Sequence, residues 1–238
     1  RFPSGARGVP FDVVDRARAL PGVEAASPGV SGTVVFFTAD GSPYQTGGAP
    51  SEGREWIDPA EAVGNTGTIT TGRAPAADDE VVIPEPVLEK AGLSVGDTTR
   101  VYTTSQGMLD VRVVGAFTEP SDIGGYVGVG FTPERARALF TDGEHVQSVS
   151  VRAAPGVSQE QVRDELAAAF PDLRVSTGAE VKEKLSSQLS TILDFVNYFF
   201  VAFGLIALLV GTFIIYNTFS MLVAQRLREL ALLRAIGA

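Results

Sequence analysis

Phe195-Val-Asn-Tyr-Phe-Phe-Val-Ala-Phe-Gly-Leu-Ile-Ala-Leu-Leu-Val-Gly-Thr-Phe-Ile-Ile-Tyr-Asn-Thr-Phe-Ser-Met-Leu-Val-Ala224 decides how this chain is organised, because these thirty residues include no Asp, Glu, Lys or Arg. The hydrocarbon core of a bilayer is about 30 Å thick and needs about 20 helical residues to cross it. The stretch spans that thickness with residues to spare. Buried helices of water-soluble proteins run shorter or carry a polar stripe. Here only Asn197, Thr212, Asn217, Thr218 and Ser220 interrupt an apolar surface that faces every direction. Its late position, with no basic region in front of it, is not that of a signal peptide. The segment reads as a transmembrane helix.

Charge on either side of the segment gives an orientation. Residues 1–194 carry 27 acidic and 16 Lys or Arg residues, a net of −11. Beyond Ala224 come Arg226, Arg228 and Arg234 against Glu229 alone. Lys and Arg close to a membrane span stay on the cytoplasmic side, so the arginine end lies inside and residues 1–197 lie outside. Large acidic domains cross membranes largely regardless of charge, so the −11 adds little. It does argue against nucleic acid as a partner, which calls for a basic stripe. The absence of cysteine is compatible with an exported domain that does without disulfides.

The outer part alternates helix and strand signals. Phe11, Val13, Val14, Ala17 and Leu20 have helical spacing, and Pro21-Gly22 ends that helix. A β-rich run follows through Val23, Val30 and Thr33 to Thr38. Residues 41–66, rich in Gly, Pro, Ser and Glu, read as a surface excursion. Strands are predicted at Glu80–Pro84, Arg100–Thr103 and Leu109–Val114, the last with the alternation of a sheet wet on one face. Between them, Pro86 to Ala91 makes a helical turn closed by Gly92.

A third block repeats the first: strand 146–151, helix 158–170, Pro171, then strand 173–176. The pattern predicts an α+β fold with two βα-type halves in residues 1–176, flanking an inserted β-rich subdomain at about 50–131. Thr177-Gly-Ala-Glu180 is a capping box, and no proline follows it. One helix over 178–224 would be about 70 Å long. It divides into a stalk over 177–197, a span over 198–224 and a cytoplasmic helix over 225–238.

Along the stalk, Val181, Leu185, Leu189, Ile192 and Val196 fall at spacings of four, four, three and four. Such a seam packs either on a partner helix or on the chain's own domain. Ala207 and Gly211 form a small-xxx-small pair that lets another helix come close in the membrane.

Catalytic patterns are missing. Gly124-Gly-Tyr-Val-Gly-Val-Gly130 lacks the lysine of a phosphate loop and reads as a turn region. His145, the single histidine, has no thiol available in the chain and no triad setting, and reads as a surface or strand-edge histidine. Asp78-Asp-Glu80 lacks the alternating spacing of a calcium loop and reads as a solvated acidic turn. No catalytic, cofactor-binding or metal-binding residue is assigned.

Residues 211–238 carry a longer pattern. Asn217-Thr218 near the end of the span precedes Arg226-Leu-Arg-Glu-Leu-Ala-Leu-Leu-Arg-Ala-Ile-Gly-Ala238. This resembles the second transmembrane helix and following segment of MacB/FtsX-type permeases of ABC transporters, with Arg226, Arg228, Glu229, Leu233, Arg234, Gly237 and Ala238 in matching places. Gly72-Arg73, Asp79-Glu-Val-Val-Ile83, Ala91-Gly-Leu-Ser-Val-Gly-Asp97 and Val113-Val-Gly-Ala-Phe117 resemble that family's extracytoplasmic core domain. Residues 41–66 and 121–130 have no counterpart in it.

The resemblance implies a multi-pass permease of the cell membrane, with one helix before this domain and at least two after it. Residues 226–238 would be a coupling helix docked on a separate cytoplasmic ABC ATPase, which alone binds ATP. Arg226 and Glu229 could pair on one face, with Leu230 and Leu233 as an apolar docking surface. A second permease copy or paralogue would supply the partner for the stalk seam. An extracytoplasmic protein, peptide or lipid would be the substrate, recognised on the inserted subdomain. The alternative is a membrane-anchored sensor or binding protein that has no ATPase partner.

Overall fold

The computed structural model describes residues 8–49, 51–59, 61–64, 67–119, 127–235 and 237; in the last helix, the side chains of 185, 188–192, 229 and 232–235 lie outside that description. Of the glycine-rich run expected to be a turn, Gly124–Tyr126 falls outside it, and the rest, 127–130, is buried strand instead of turn. The chain divides into two units, residues 1–175 and 176–238.

The first unit is built in two layers. In the smaller layer, helix α1 (Asp12–Arg18) leads into strand β2 (Val23–Gly29), and strand β11 (Ser148–Ala153) leads into helix α4 (Gln159–Ala169). β2 and β11 pair antiparallel. Val13, Val14 and Ala17 of α1, Val23 and Ala26 of β2, and Val162, Leu166 and Phe170 at α4 bury one core between them. α4 starts where Ser158 and Gln161 cap each other, the Gln161 N–H donating to Ser158 Oγ and the Ser158 N–H to Gln161 Oε1. These are the two expected βα-type halves. The strand expected over 173–176 does not form. Leu173 and Val175 instead pack against this core from irregular backbone.

The insert is a closed sheet. Its strands are β3 (Ser31–Phe36), β4 (Ser51–Glu55), β5 (Thr68–Gly72), β6 (Glu80–Pro84), β7 (Thr98–Thr103), β8 (Gly107–Thr118) and β9 (Val127–Phe131). Their order is β5-β8-β6-β9-β4-β3-β7, and β7 also pairs with β8. Six strands thus close on themselves, with β5 hung on the second half of β8. Val34, Phe36, Val81, Ile83, Val101, Val111, Val113, Val127, Val129 and Phe131 fill the interior, sealed by α2 (Glu85–Ala91) and α3 (Pro133–Phe140). The first half of β8 alternates as expected, with Met108, Asp110 and Arg112 exposed. Its second half is buried on both faces, because Trp56 and Phe117 build a further small core there with Val82 and Val114.

The excursion expected over 41–66 is corrected by this sheet. β4 lies between β3 and β9 in the barrel wall, and Trp56 behind it is buried. Ser-Glu-Gly-Arg-Glu offers no hydrophobic alternation, so nothing in the segment marks it as a strand. Tertiary packing supplies what propensity lacks. Gly32 and Gly53 are register partners on β3 and β4. A Cβ on either would stand 2.4 Å from the Phe140 ring, which fills the dent that the two glycines leave. α3 itself was not anticipated, although Thr132 caps it, accepting the Arg135 N–H at 3.2 Å, and Pro133 opens its first turn.

Overpacking that dent should be costly. Gly53→Ala would bring a methyl within 3.0 Å of Phe140, Val34 and Phe131. The expected loss is about 1–3 kcal/mol, read as a lower Tm by the fluorescence of Trp56, the single tryptophan. An unchanged Tm would mean that Phe140 does not rest on these glycines.

Candidate functional site

The second unit is one helix, α5 (Gly178–Ala235), of 58 residues. It begins at the expected capping box: the Glu180 N–H donates to Thr177 Oγ1 at 3.2 Å, and the Thr177 N–H to Glu180 Oε2 at 3.0 Å. No residue interrupts it after that. At 1.5 Å per residue it is about 87 Å long. Leu193–Arg228 within it is long and apolar enough to cross a membrane, and among the described residues none of that span is buried. Water would have to cover Phe199, Leu209, Ile214, Tyr216 and Phe219, each more than half exposed. A contiguous apolar surface of that size marks a lipid or protein contact. The Thr218 hydroxyl donates to the Ile214 carbonyl at 2.9 Å, so its polarity is satisfied inside the helix.

Every residue singled out for transmission lies on α5. Val181 and Val196 are exposed at 49% and 41%. Ala207 is exposed, Gly211 is half-exposed, and nothing lies within 4 Å of where a Cβ on Gly211 would stand. Arg226 and Arg228, at the C-terminal end of that span, and Leu230 past it are exposed. The side chains of Leu185, Leu189, Ile192, Glu229, Leu233 and Arg234 lie outside the described residues. The helix sets these positions in sequence along one rod and does not gather them into a pocket.

The motifs of the outer unit turn out to be structural. Gly72 has φ +79°, and a Cβ there would sit 2.2 Å from the Val114 carbonyl oxygen. This conformation favours glycine. It lets Arg73 turn back and hold Glu80 with two hydrogen bonds of 2.6 Å each. Arg112 adds a third at 2.8 Å and the Ala76 N–H a fourth at 3.0 Å. Glu80 is 3% exposed, so of the acidic turn expected to be solvated only Asp78 and Asp79 face water. The Arg73 hydrogen bonds, the Ala76 N–H and the two guanidinium charges hold its carboxyl at about 2 against the opposing effect of burial.

In Ala91-Gly-Leu-Ser-Val-Gly-Asp97, Gly92 ends α2 in the left-handed conformation, and Asp97 accepts the Ser94 N–H at 2.8 Å. The Gly96 N–H then docks the turn on the Val113 carbonyl. His145 Nδ1 lies 2.9 Å from Asp142, whose carboxylate also accepts the N–H groups of Glu144 and His145. That is a local turn. Among the described residues, no group of His, Asp or Glu could hold a metal ion.

One carboxyl escaped the sequence reading. Glu55, at the end of β4, accepts the Val30 N–H at 3.2 Å. Burial pushes its carboxyl up to about 7, against the Val30 N–H and the Arg137 charge. A lone Glu in a polar strand carries no signal of that environment.

A split αβ layer with an inserted barrel, continued by an apolar helix, defines an α+β domain carried by a candidate membrane anchor. The chain belongs to the MacB-like periplasmic core domain family, whose model matches residues 2–169. These are periplasmic-type domains of ABC-transporter permeases. No curated protein matches the chain. Among solved structures, the periplasmic region of MacB from Actinobacillus actinomycetemcomitans is 14% identical with a TM-score of 0.52, over 76% of this chain and 85% of that one. The extracellular domain of the noncanonic ABC-type transporter YknZ from Gram-positive bacteria is 14% identical with a TM-score of 0.47, over 69% of this chain and 83% of that one. The MacB structure has the same fold.

The two perturbed carboxyls should pull stability in opposite directions with pH. Glu55 is raised from 4.5 to about 7, so the folded state holds an extra proton in that window and its contribution is lost as pH rises through it. Glu80 is lowered from 4.5 to about 2, so its contribution is present above 4.5 and is lost as pH falls toward 2. Thermal unfolding across pH should show Glu55→Gln flattening the upper slope alone. Glu80→Gln should flatten the lower one and cost about 2 kcal/mol at neutral pH. Slopes that survive both substitutions would assign the pH dependence to other groups.

Proposed function

We propose that this chain is the extracytoplasmic core domain, second transmembrane helix and coupling segment of an ABC-transporter permease subunit. In this reading it passes the motion of a separate cytoplasmic ATPase to the domain outside. The observation that carries the proposal is α5 itself. A single unbroken helix of 58 residues follows a MacB-like core domain, runs through an apolar span and ends among arginines. A helix is stiff along its axis, so a displacement at one end reaches the other with little loss. Arg226 and Arg228 close the apolar span at its C-terminal end, which favours a cytoplasmic location for that end.

The remaining roles follow from position along the rod. Arg226, Arg228, Glu229, Leu230, Leu233 and Arg234 form the segment that docks on the ATPase, and ATP is bound by that partner. Val181, Leu185, Leu189, Ile192 and Val196 face the stalk of a second permease copy or a paralogue, while Ala207 and Gly211 admit a neighbouring helix within the bilayer. Residues 1–197 stand outside the cell membrane in a multi-pass protein. There they meet an extracytoplasmic protein, peptide or lipid.

The full-length permease, purified in mild detergent, is expected to carry a stoichiometric phosphate-loop ATPase. Replacing Arg226, Glu229 and Arg234 together by Ala should leave membrane insertion intact and sharply lower ATP turnover by the complex. Unchanged turnover in the triple variant would overturn the coupling role. Purification as a single band in several detergents would point to an anchored sensor.

A further inference from the structure

The two layers of the outer unit are joined where the chain crosses between them, at Gly29–Val30–Ser31 and at Val146–Gln147–Ser148. The crossings run side by side, with the Gln147 N–H donating to the Gly29 carbonyl at 3.1 Å. Beside them, among the described residues, the main chain keeps only a two-residue ladder, β1 (Val9–Pro10) on β10 (His145–Val146), with the Phe11 N–H donating to the Glu144 carbonyl at 2.9 Å. Side-chain clasps do the rest. The Gln147 carboxamide takes both backbone groups of Ser31: Nε2 donates to the Ser31 carbonyl at 2.6 Å, and Oε1 accepts the Ser31 N–H at 3.1 Å. Glu55 does the same for Val30, its carboxylate accepting the Val30 N–H while its own N–H donates to the Val30 carbonyl at 3.2 Å.

A third tie is a strap whose described residues are 56–59 and 61–63. Trp56 anchors this strap in the barrel's outer core. At its far end Arg152 donates to the Ala62 carbonyl at 2.6 Å, and Ser27 bonds both Glu61 and Val63. Arg137 of α3 also stacks over the Phe11 ring that precedes α1.

What joins the layers is therefore mostly polar. Their hydrophobic cores are separate and, among the described residues, share only half-buried Val9 and Val149. Hydrogen bonds of this kind contribute about 0.5–1.5 kcal/mol each, and at an exposed side chain such as Gln147 water can take their place. Bending anywhere else would open a core. Bending here exchanges a few polar contacts and disturbs the barrel core only at its margin, where Val30, Val9, Phe11 and Val149 touch it.

We infer that the outer unit is hinged at Val30 and Gln147, and that the Gln147 carboxamide, supported by the Ser27 and Arg152 bonds to residues 61–63 of the strap, latches the small layer against the barrel. The inference rests on the reading of α5 as a transmitting rod only for its use. The chain passes from α4 through residues 170–177 into α5, so a displacement of α5 enters the small layer first and swings the barrel about the hinge.

The test uses the full-length permease in lipid nanodiscs with its co-purifying proteins. The chain has no native cysteine. Spin labels at Glu160→Cys on α4 and Thr98→Cys on β7 would report the distance between layers. A second pair, Glu24→Cys and Glu160→Cys, would report within the small layer. Gln147→Ala is expected to broaden and shift the first distance distribution and leave the second unchanged. Adding Ser27→Ala, which releases one end of the strap, should broaden the first further. Both distributions unchanged in the double variant would overturn the hinge, and so would equal broadening of both pairs. A nucleotide-dependent shift of the first pair would tie the hinge to the rod. Broadening by Gln147→Ala without any nucleotide response would keep the hinge and remove the transmission reading.

Discussion

When β7 pairs with β8, the barrel strands lose their free edges and their inward Val and Phe side chains close over one core. Much of the outer unit follows from that closure. A long β8 has to serve two partners, so its first half keeps a wet face and its second half is covered on both. β4 has to complete the wall despite its polar sequence, and the adjacent Gly32 and Gly53 make room for Phe140 to seal it. The Arg73–Glu80–Arg112 clasp ties the start of β6 to β8 and to the end of β5. Burying a carboxylate is costly unless charge and hydrogen bonds surround it, and here they do.

A barrel inserted between the two halves of an αβ layer must leave and re-enter that layer through a few strands. The crossings at Val30 and Gln147 are those points, and their polar clasps mark a boundary between two hydrophobic cores. α5 faces a different constraint. Its apolar surface has no cover among the described residues, so lipid or another protein has to supply it. Membership of the MacB-like periplasmic core domain family agrees with an outer unit attached to such a helix.

Where local chemistry is decisive, the sequence could be read directly. Thr177 and Glu180 cap α5 because both partners lie within one turn. Gly92 ends α2, and Val81, Val82 and Ile83 announce a buried strand. Phe195 to Ala224 could belong only to a segment that lipid or other helices must cover. β4 could not be read in this way, because its Gly53 is explained only by a phenylalanine 87 residues further along the chain. The run from Val23 to Thr38 looked like one β-rich stretch, yet Val30 divides it between two layers. Gln147 and Glu55 looked like ordinary polar residues until the fold placed them beside the backbone of Ser31 and Val30.

By itself, then, the sequence determined the long apolar helix, its cap, its basic end and the α+β character of what precedes it, since periodicity, charge and capping act over a few residues. Only the tertiary structure decided that the strands close into a barrel, that β4 belongs to its wall, and that polar clasps join the barrel to the smaller layer. Those features rest on contacts between residues far apart in the chain, which no local pattern encodes.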